Sequence, residues 1–399
     1  MADNNENKVL NVPHLRFPEF SGEWNKYTIN DLATVVGGGT PDTTVKSYWG
    51  GDIQWFTPSE IGKNKYVDFS LRTITRDGLD NSSAKLLPLH TILLSSRATV
   101  GECSIASNEC TTNQGFQSLI AKQCNIDFLY YLIQTKKKDL IRNACGSTFL
   151  EISANEIRKI KVAVPVQNEQ EQIAKLLSLI DERIATQNKI IEKLQSLIKG
   201  LVDELMTVLL KGKLYPFSSF YIKAGEGGTP TTSVVEYYTE GTIPFIKIED
   251  LSCKYLTNNK DFITELGMQK SSAWLIPSKS VIYSNGATIG AISINEYPVC
   301  TKQGILGIVP NTNINVEYLY LLMSSSYFSK EISRIITEGT MKTAYLKDIN
   351  HIKCPLPSMA QQKNITNLTS SIEEKLSIEQ ELLRFLNLQK QYLLHMIFI

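Results

Sequence analysis

The sequence predicts an α+β protein built as a tandem repeat, with two similar domains separated by a long antiparallel two-helix coiled coil and related by pseudo-twofold symmetry. Three observations predict this fold class. The chain has 399 residues, more than one ordinary core of roughly 100–200 residues requires. Its motifs recur at a nearly constant offset, and two segments carry apolar residues in heptads.

Short motifs of the first half return in the same order in the second half. GGTP at residues 38–41 recurs at 227–230, and TNQG at 112–115 recurs as TKQG at 301–304, both at an offset of 189. FLYYLI from Phe128 returns as YLYLLM from Tyr318 at an offset of 190, and NEIRKIKVAVP returns as KDINHIKCPLP at 192. Ordered coincidences of this kind indicate a duplicated unit of about 190 residues, so we expect both units to fold alike.

Each unit begins with a segment that mixes short β-like runs with Gly and Pro. In the first unit the predicted runs are residues 53–56, 91–95, 116–120 and 159–164. An amphipathic helix is predicted at 127–142 and mirrored at 316–336. The glycine-rich GGGTP at 37–41 predicts a tight turn with positive φ. These patterns indicate a compact α+β domain but do not order its strands.

The remainder of each unit predicts a long helix with a coiled-coil seam. Alternating steps of four and three from Ile173 give eleven positions, of which ten are apolar, and the same count from Ile365 gives seven of ten. This period of 3.5 residues is typical of a left-handed coiled coil. The apolar seam positions are Ile173, Leu177, Ile180, Ile184, Ile191, Leu194, Ile198, Leu201, Leu205 and Val208 on the first helix, and Ile365, Ile372, Leu376, Leu383, Leu386, Leu393 and Ile397 on the second.

Two such stripes in one chain are expected to pack against each other, because burying each Leu or Ile contributes about 1.5–3 kcal/mol. Two alternatives stay open: each helix packs on its own domain, or it pairs with another chain. Antiparallel packing would give a rod of about 60 Å with a domain at each end. The predicted boundaries are 1–165 for the first domain, 166–212 for the central helix, 213–357 for the second domain and 358–399 for the C-terminal helix.

Composition excludes several classes of protein. The chain has 41 basic and 40 acidic side chains, which excludes a protein coated with positive charge but leaves a local basic groove open. No apolar run approaches the roughly 18–20 residues of a membrane span. The seven cysteines contain no CxxC pair, which argues against a zinc site or a disulfide framework. We therefore expect a cytoplasmic protein without a membrane partner.

Catalytic motifs are missing from the sequence. The four histidines are scattered and none recurs in the duplicate. We find no GxxxxGK[ST], no GxSxG, no plausible Cys/His dyad and no Asn/Asp-Pro-Pro-aromatic motif. We predict no catalytic residue, no metal ligand and no cofactor in this chain, which therefore is expected to recognise a ligand without being an enzyme.

The ordered motifs resemble those of the specificity subunit of type I restriction–modification systems. The resemblance covers essentially the whole chain. It rests on LRFPEFSGEW at 15–24, the paired GGTP motifs, SSRATVG at 95–101 with SNGATIG at 284–290, and NEQEQI with AQQKNI at the helix starts. The second half departs from the pattern because it lacks a full copy of LRFPEFSGEW.

The resemblance implies a function and a set of partners. Two target-recognition domains, joined by antiparallel helices, would each read one half of a split asymmetric site in double-stranded DNA. Two methylation subunits would dock on the helices and domains and use S-adenosylmethionine to methylate adenine N6. Translocating restriction subunits would join outside that core, and this chain would supply no catalytic residue.

Base contacts are expected from loops that differ between the halves, because the two half-sites differ. Lysine suits phosphates, whereas Asn, Tyr and Arg suit base edges. The candidate residues follow the predicted Ile-x-(Trp/Phe) strands at 53–55 and 243–245, lie in the SSRATVG turn, or lie in two later loops at 146–149 and 339–343. They are Ser59, Lys63, Asn64, Lys65, Tyr66, Arg97, Ser147, Thr148, Lys254, Tyr255, Thr340 and Lys342.

Two other hypotheses stay open. A scaffold that grips protein or glycan ligands would also suit the near-zero net charge, and retention on such a ligand without affinity for any duplex would favour it. A self-contained enzyme is the third hypothesis, and turnover by the isolated chain would favour that one.

Overall fold

The structure, a computed structural model, describes residues 11–146, 150–286, 288–336 and 342–399. The chain forms two compact units. The first comprises Met1–Asn188 and Glu381–Ile399, and the second comprises Lys189–Gln380. Each of the two long helices contributes one segment to each unit.

The first unit combines short strands with short helices. Its strands are β1 (Asn25–Thr28), β2 (Ala33–Gly37), β3 (Trp49–Phe56), β4 (Tyr66–Val67), β5 (Arg72–Ile74), β6 (Ile92–Leu94), β7 (Cys103–Ala106), β8 (Cys110–Thr112), β9 (Gln117–Ala121) and β10 (Lys161–Val164). Its helices are α1 (Ile29–Leu32), α2 (Arg76–Asp80), α3 (Ile126–Thr135), α4 (Lys137–Arg142), α5 (Ala154–Lys159) and the start of α6 (Gln167–Leu209).

These strands form a five-stranded sheet in the order β2-β9-β6-β7-β4, a three-stranded sheet in the order β5-β3-β8, and the pair β1-β10. The pairs β4–β7 and β3–β8 are parallel, and the other pairs are antiparallel. A parallel pair needs a long connection, so neighbours in space are distant in sequence.

The second unit repeats this plan. Its strands are β11 (Leu214–Pro216), β12 (Tyr221–Glu226), β13 (Ile243–Ile246), β14 (Tyr255–Leu256), β15 (Asp261–Ile263), β16 (Val281–Ser284), β17 (Ile292–Asn295), β18 (Cys300–Thr301), β19 (Ile305–Pro310) and β20 (Lys353–Pro355). Its helices are α7 (Glu265–Gln269), α8 (Val316–Ser324), α9 (Ser326–Ile335), α10 (Leu346–Ile349), residues 189–209 of α6 and residues 359–380 of α11 (Met359–Ile397).

The sheet orders of the second unit are β12-β19-β16-β17-β14, β15-β13-β18 and β11-β20. Each strand takes the place that its repeat occupies in the first unit, and the parallel pairs are again β14–β17 and β13–β18. The predicted fold class, with two similar α+β domains and a pair of long helices, is confirmed.

A buried glutamine anchors the start of each long helix. The Gln170 side chain accepts a hydrogen bond from the Asn125 main-chain N–H (2.9 Å) and donates to the Pro165 carbonyl (3.0 Å). Gln362, its repeat, accepts from Asn315 N–H (2.7 Å) and donates to the Pro357 carbonyl (2.9 Å). Because Asn125 and Asn315 cap α3 and α8, each glutamine fixes the long helix to the domain helix.

The long helices contact each other within the first unit. Ile173 and Leu177 of α6 share a core with Ile397 and Phe398, and Leu393 packs against it. Asp181 and Lys390 form an ion pair at 2.7 Å. Increasing residue numbers along α6 therefore contact decreasing residue numbers along α11, so the two helices pack antiparallel.

The end of α11 completes the core of the first unit. Phe398 lies 5.2 Å from Phe128 and 6.4 Å from Trp24 between ring centroids. All three side chains are buried. Residues near the end of the sequence thus pack against residues of the first domain.

The helices also share a core in the second unit, where Val202 and Met206 of α6 lie in one cluster with Ile365 of α11. The predicted seam positions of α11 are all buried or half-buried. On α6 the pattern departs near its end: Val208 is exposed, whereas Val202 and Met206 are buried. There the helix packs on the domain core as well as on α11, and the buried stripe shifts accordingly.

The two domain helices are shorter than predicted. Residues 127–142 form α3 and α4, which meet at Lys136, and 316–336 form α8 and α9, which meet at Ser325. Ser325 is extended (ψ 154°), and its hydroxyl accepts a hydrogen bond from Phe328 N–H as the N-cap of α9. None of the helices in the described ranges is long and apolar enough to cross a bilayer.

Candidate nucleic-acid interface

Motifs that the sequence repeats meet at one place in the first unit. The Ser96 main-chain N–H donates to the Gly115 carbonyl (2.8 Å), and Ile152 N–H donates to the Ser96 carbonyl (2.9 Å). Ala98 N–H donates to Leu150 (3.2 Å). Residues 95–101, 113–116, 145–146 and 150–152 therefore form one surface, which we call the first loop cluster.

The second unit builds the same surface from the repeated motifs. Asn285 N–H donates to the Gly304 carbonyl (3.0 Å), and Ala344 N–H donates to the Asn285 carbonyl (2.9 Å). The Asn285 side chain also donates to the Ala344 carbonyl (3.1 Å). Residues 284–286, 302–305 and 342–344 are the second loop cluster.

The GGTP motifs join the clusters through close main-chain contact. Gly39 N–H donates to the Thr112 carbonyl (2.8 Å), and Gly228 N–H donates to Thr301 (3.0 Å). A Cβ atom at Gly38 would lie 1.9 Å from the Asn113 carbonyl oxygen, and one at Gly227 would lie 2.1 Å from that of Thr301. Gly37, Gly38 and Gly39 do not have positive φ. The predicted reason for these glycines was therefore wrong: they are needed for close packing of the backbone.

Arg97 is the most prominent cation of the first loop cluster. Its guanidinium pairs with the Glu151 carboxylate at 2.7 Å, and both side chains are more than two-fifths exposed. An ion pair this exposed contributes little stability, so Arg97 can exchange Glu151 for a phosphate or a guanine edge at small cost. The turn that carries it is fixed by positive φ at Ala98 (63°) and Gly101 (89°).

The second loop cluster presents different side chains on the same framework. Gly286 occupies the position of Arg97, and Lys302 occupies that of Asn113. Lys302 and Lys342 are exposed. The two clusters therefore offer different charges and hydrogen-bonding groups to a ligand.

The segment after β3 divides into two parts. Ser59 is exposed in a turn next to the first loop cluster, since a Cβ atom at Gly115 would lie 3.0 Å from Pro58 Cγ. Lys63 and Asn64 are exposed farther along, where the Asn64 carbonyl accepts from the Ser104 hydroxyl (2.7 Å). These residues keep side chains that a ligand can reach.

Lys65, Tyr66, Lys254 and Tyr255 face the helices of their own units. Lys65 pairs with Asp127 at 2.7 Å and Lys254 with Glu317 at 2.5 Å. Tyr66 donates to Asp127 (2.9 Å); burial and this carboxylate together raise the pKa of Tyr66. The ammonium groups are engaged inside the unit, which differs from the phosphate contacts that the sequence predicts for them.

Three predicted contact residues, Ser147, Thr148 and Thr340, lie outside the described residues. Gln114 and Gln303 are exposed between the other loops of the clusters, although they were not among the predicted contacts. The recurrence of NQG as KQG at an offset of 189 was the signal that could have identified them.

No metal centre is found among the described residues, since no three His, Cys, Asp or Glu side chains in these ranges are grouped so as to hold an ion. The chemistry of the clusters is that of hydrogen bonding and charge.

Residues 21–196 and 220–387 match the family described as Type I restriction modification DNA specificity domain. The chain belongs to this family. One matched segment lies in each half of the chain, in agreement with the duplication.

Curated relatives match this chain over most or part of its length. The chain is 29% identical over 382 residues to the Type I restriction enzyme MjaIX specificity subunit of Methanocaldococcus jannaschii, covering 89% of this chain and 88% of that protein. It is 29% identical over 175 residues to the EcoR124I/EcoR124II specificity subunit of Escherichia coli, covering 42% and 43%. These proteins are named as specificity subunits, in agreement with the prediction of a non-catalytic component.

A solved structure shares the fold. The S subunit of a type I restriction–modification system from M. genitalium aligns with a TM-score of 0.55 and 19% identity over 97% of this chain and 99% of that one. The specificity subunit family recognises DNA sequence within restriction–modification systems, and that is the function class of this chain.

Proposed function

We propose that this chain reads a bipartite asymmetric DNA site, one half with each loop cluster, and directs methylation and restriction subunits to it. The main observation behind the proposal is that the two loop clusters have the same backbone framework but present different side chains. Arg97 and Asn113 in the first cluster correspond to Gly286 and Lys302 in the second. Two readers with equal folds and unequal side chains suit two half-sites of unequal sequence.

The charges of the clusters support this proposal. A chain of net charge +1 cannot bind DNA through total charge, so affinity must come from local cations such as Arg97, Lys302 and Lys342, with partner subunits adding the rest. Arg97 suits guanine O6 and N7, and the lysines suit phosphates. Methyl transfer from S-adenosylmethionine to adenine N6 would occur on the methylation subunits.

Exchange of the first domain tests the proposal. Residues 14–165 are replaced by the matching segment of a family member with a different target, and methylated adenines are mapped by single-molecule sequencing in cells with the assembled complex. We expect one half-site to change completely and the other to stay the same, because each cluster reads its own half.

The parental complex and a complex with residues 14–165 exchanged for those of a relative with the same target serve as controls. An unchanged methylated sequence after the exchange would reject the proposal. Retention of the complex on a peptide or glycan, with no affinity for any duplex, would favour the scaffold hypothesis.

Exposed apolar side chains on the long helices suggest where partners dock. In the first unit, Leu382, Phe385, Leu388 and Tyr392 of α11 are exposed. Apolar side chains that lie close together along one helix indicate a protein-binding surface. We infer that a methylation subunit covers them.

Phe385→Asp is expected to abolish retention of one methylation subunit, because a charge would be buried without a partner in that contact. The mass of the purified complex, measured by native mass spectrometry, reports the loss. Gln389→Asp is the control, since it adds the same charge at an exposed polar position of α11. A full complement of subunits with Phe385→Asp would contradict this docking surface.

A further inference from the structure

A largely buried lysine side chain links the first recognition domain to the long helix α6. The Lys65 side chain is 9% exposed, and its ammonium lies 2.7 Å from the Asp127 carboxylate of α3. The same ammonium donates to the Ser178 hydroxyl of α6 at 2.6 Å and to the Tyr131 hydroxyl at 3.3 Å. Tyr131 in turn donates to Asp181 of α6 at 2.7 Å. One loop lysine thus connects the domain helix and the long helix.

The second unit has the same link in a slightly different form. The Lys254 side chain is 15% exposed, and its ammonium lies 2.5 Å from both Glu317 of α8 and Glu373 of α11. These residues are the repeats of Lys65, Asp127 and Asp181, at offsets of 189, 190 and 192.

The differences between the two links compensate each other. Leu321 replaces Tyr131 and removes the bridging hydroxyl, whereas Glu373 is one methylene longer than Asp181 and reaches the lysine directly. The neighbouring tyrosines also repeat, because Tyr66 donates to Asp127 (2.9 Å) and Tyr255 donates to Glu317 (2.7 Å). Both units therefore keep a lysine that connects the domain helix to a long helix, although the residues around that lysine differ.

We propose that Lys65 and Lys254 are positioning residues that fix the angle of each recognition domain on its long helices, and thereby the gap between the two DNA half-sites. Apolar packing between a domain and a helix is not directional. A largely buried ammonium that a carboxylate of the domain helix and a hydrogen-bonding group of the long helix hold together is directional, because a movement away from either partner breaks a hydrogen bond where water has little access. Rotation of a domain would change the position along the duplex at which that domain contacts bases. The angle would therefore determine the length of the gap between the half-sites.

This inference rests on the proposed function, and the test uses the assembled complex with the full chain. Lys65→Met and Lys254→Met keep most of the side-chain volume and remove the charge. Methylated adenines are mapped, and sites are sorted by half-site sequence and by gap. We expect methylation at gaps one base pair longer or shorter to rise about tenfold, with both half-site sequences unchanged. Lys85→Met and Lys260→Met, at exposed lysines of the two units, are the controls and should keep the parental gap.

Three results would overturn the proposal. Weaker methylation of all sites with a smaller salt dependence and the parental gap would mean that the lysines contact phosphates. A lower melting temperature with the parental gap would mean a role in stability alone. The isosteric Glu373→Gln tests the second link without removing its lysine, so an unchanged gap there would also count against it. A parental complex that methylates no split sequence would instead refute the proposed function itself.

Discussion

Replacement of Glu169 by glutamine is expected to lower the free energy of unfolding of the first unit by about 3–5 kcal/mol. Glu169 is buried at the start of α6, and its two carboxylate oxygens accept from Arg16 Nε and Nη2, each at 2.8 Å. The Trp24 indole also donates to it, at 3.2 Å. Neutral glutamine would leave the Arg16 guanidinium, whose side chain is 14% exposed, without its counter-charge.

Urea denaturation of the full chain, followed by tryptophan fluorescence, measures this loss. Glu171→Gln is the matched control, because Glu171 lies two residues along α6 and is exposed. Equal midpoints for the two variants would show that the Arg16–Glu169 pair contributes nothing. The second half has Gln361 at the position of Glu169 and lacks a full copy of LRFPEFSGEW, the segment that carries Arg16, so the pair is specific to the first unit.

Substitution of alanine for Gly38 or Gly227 is expected to destabilise the corresponding unit by about 3 kcal/mol or more. The added methyl group would lie 1.9 Å and 2.1 Å, respectively, from a carbonyl oxygen. Both oxygens belong to the main chain, which cannot move aside as a flexible side chain can, so the loop cluster itself must open.

Thermal unfolding and methylation mapping of the complex together test this expectation, because each variant should also impair one half-site. Gly200→Ala is the control, since a Cβ atom at this helical position meets nothing within 4 Å. There we expect a gain of about 0.5–1 kcal/mol from the higher helix propensity of alanine. If Gly38→Ala and Gly227→Ala both kept the parental stability, the close approach of the backbone at these two glycines would be contradicted.

Much of the fold follows from periodic features that a sequence displays directly. The offset of 189 between motifs predicts two like units, and steps of four and three predict the faces of α6 and α11. The order β2-β9-β6-β7-β4 could not be predicted. It depends on pairing between residues 33–37 and 117–121. These segments are far apart in sequence, and no sequence pattern marks them as partners.

The candidate site was predictable only in part for a similar reason. A lysine after a strand, such as Lys65, indicates an exposed cation when only its neighbours are considered. Its burial depends on Asp127 and Ser178, which approach from two other elements. Arg97 stands out in the sequence because its repeat is Gly286; the loop that pairs with it through Glu151 emerges only in three dimensions.

The contact of Phe398 with Trp24 and Phe128 has a consequence for biosynthesis. The first domain leaves the ribosome early, yet part of its apolar core must wait until residues 393–398 have been translated. During that interval the nascent chain exposes surface that is later covered, and pairing across so many residues is slow. We therefore expect the early half to associate with chaperones until residues 393–398 have been translated.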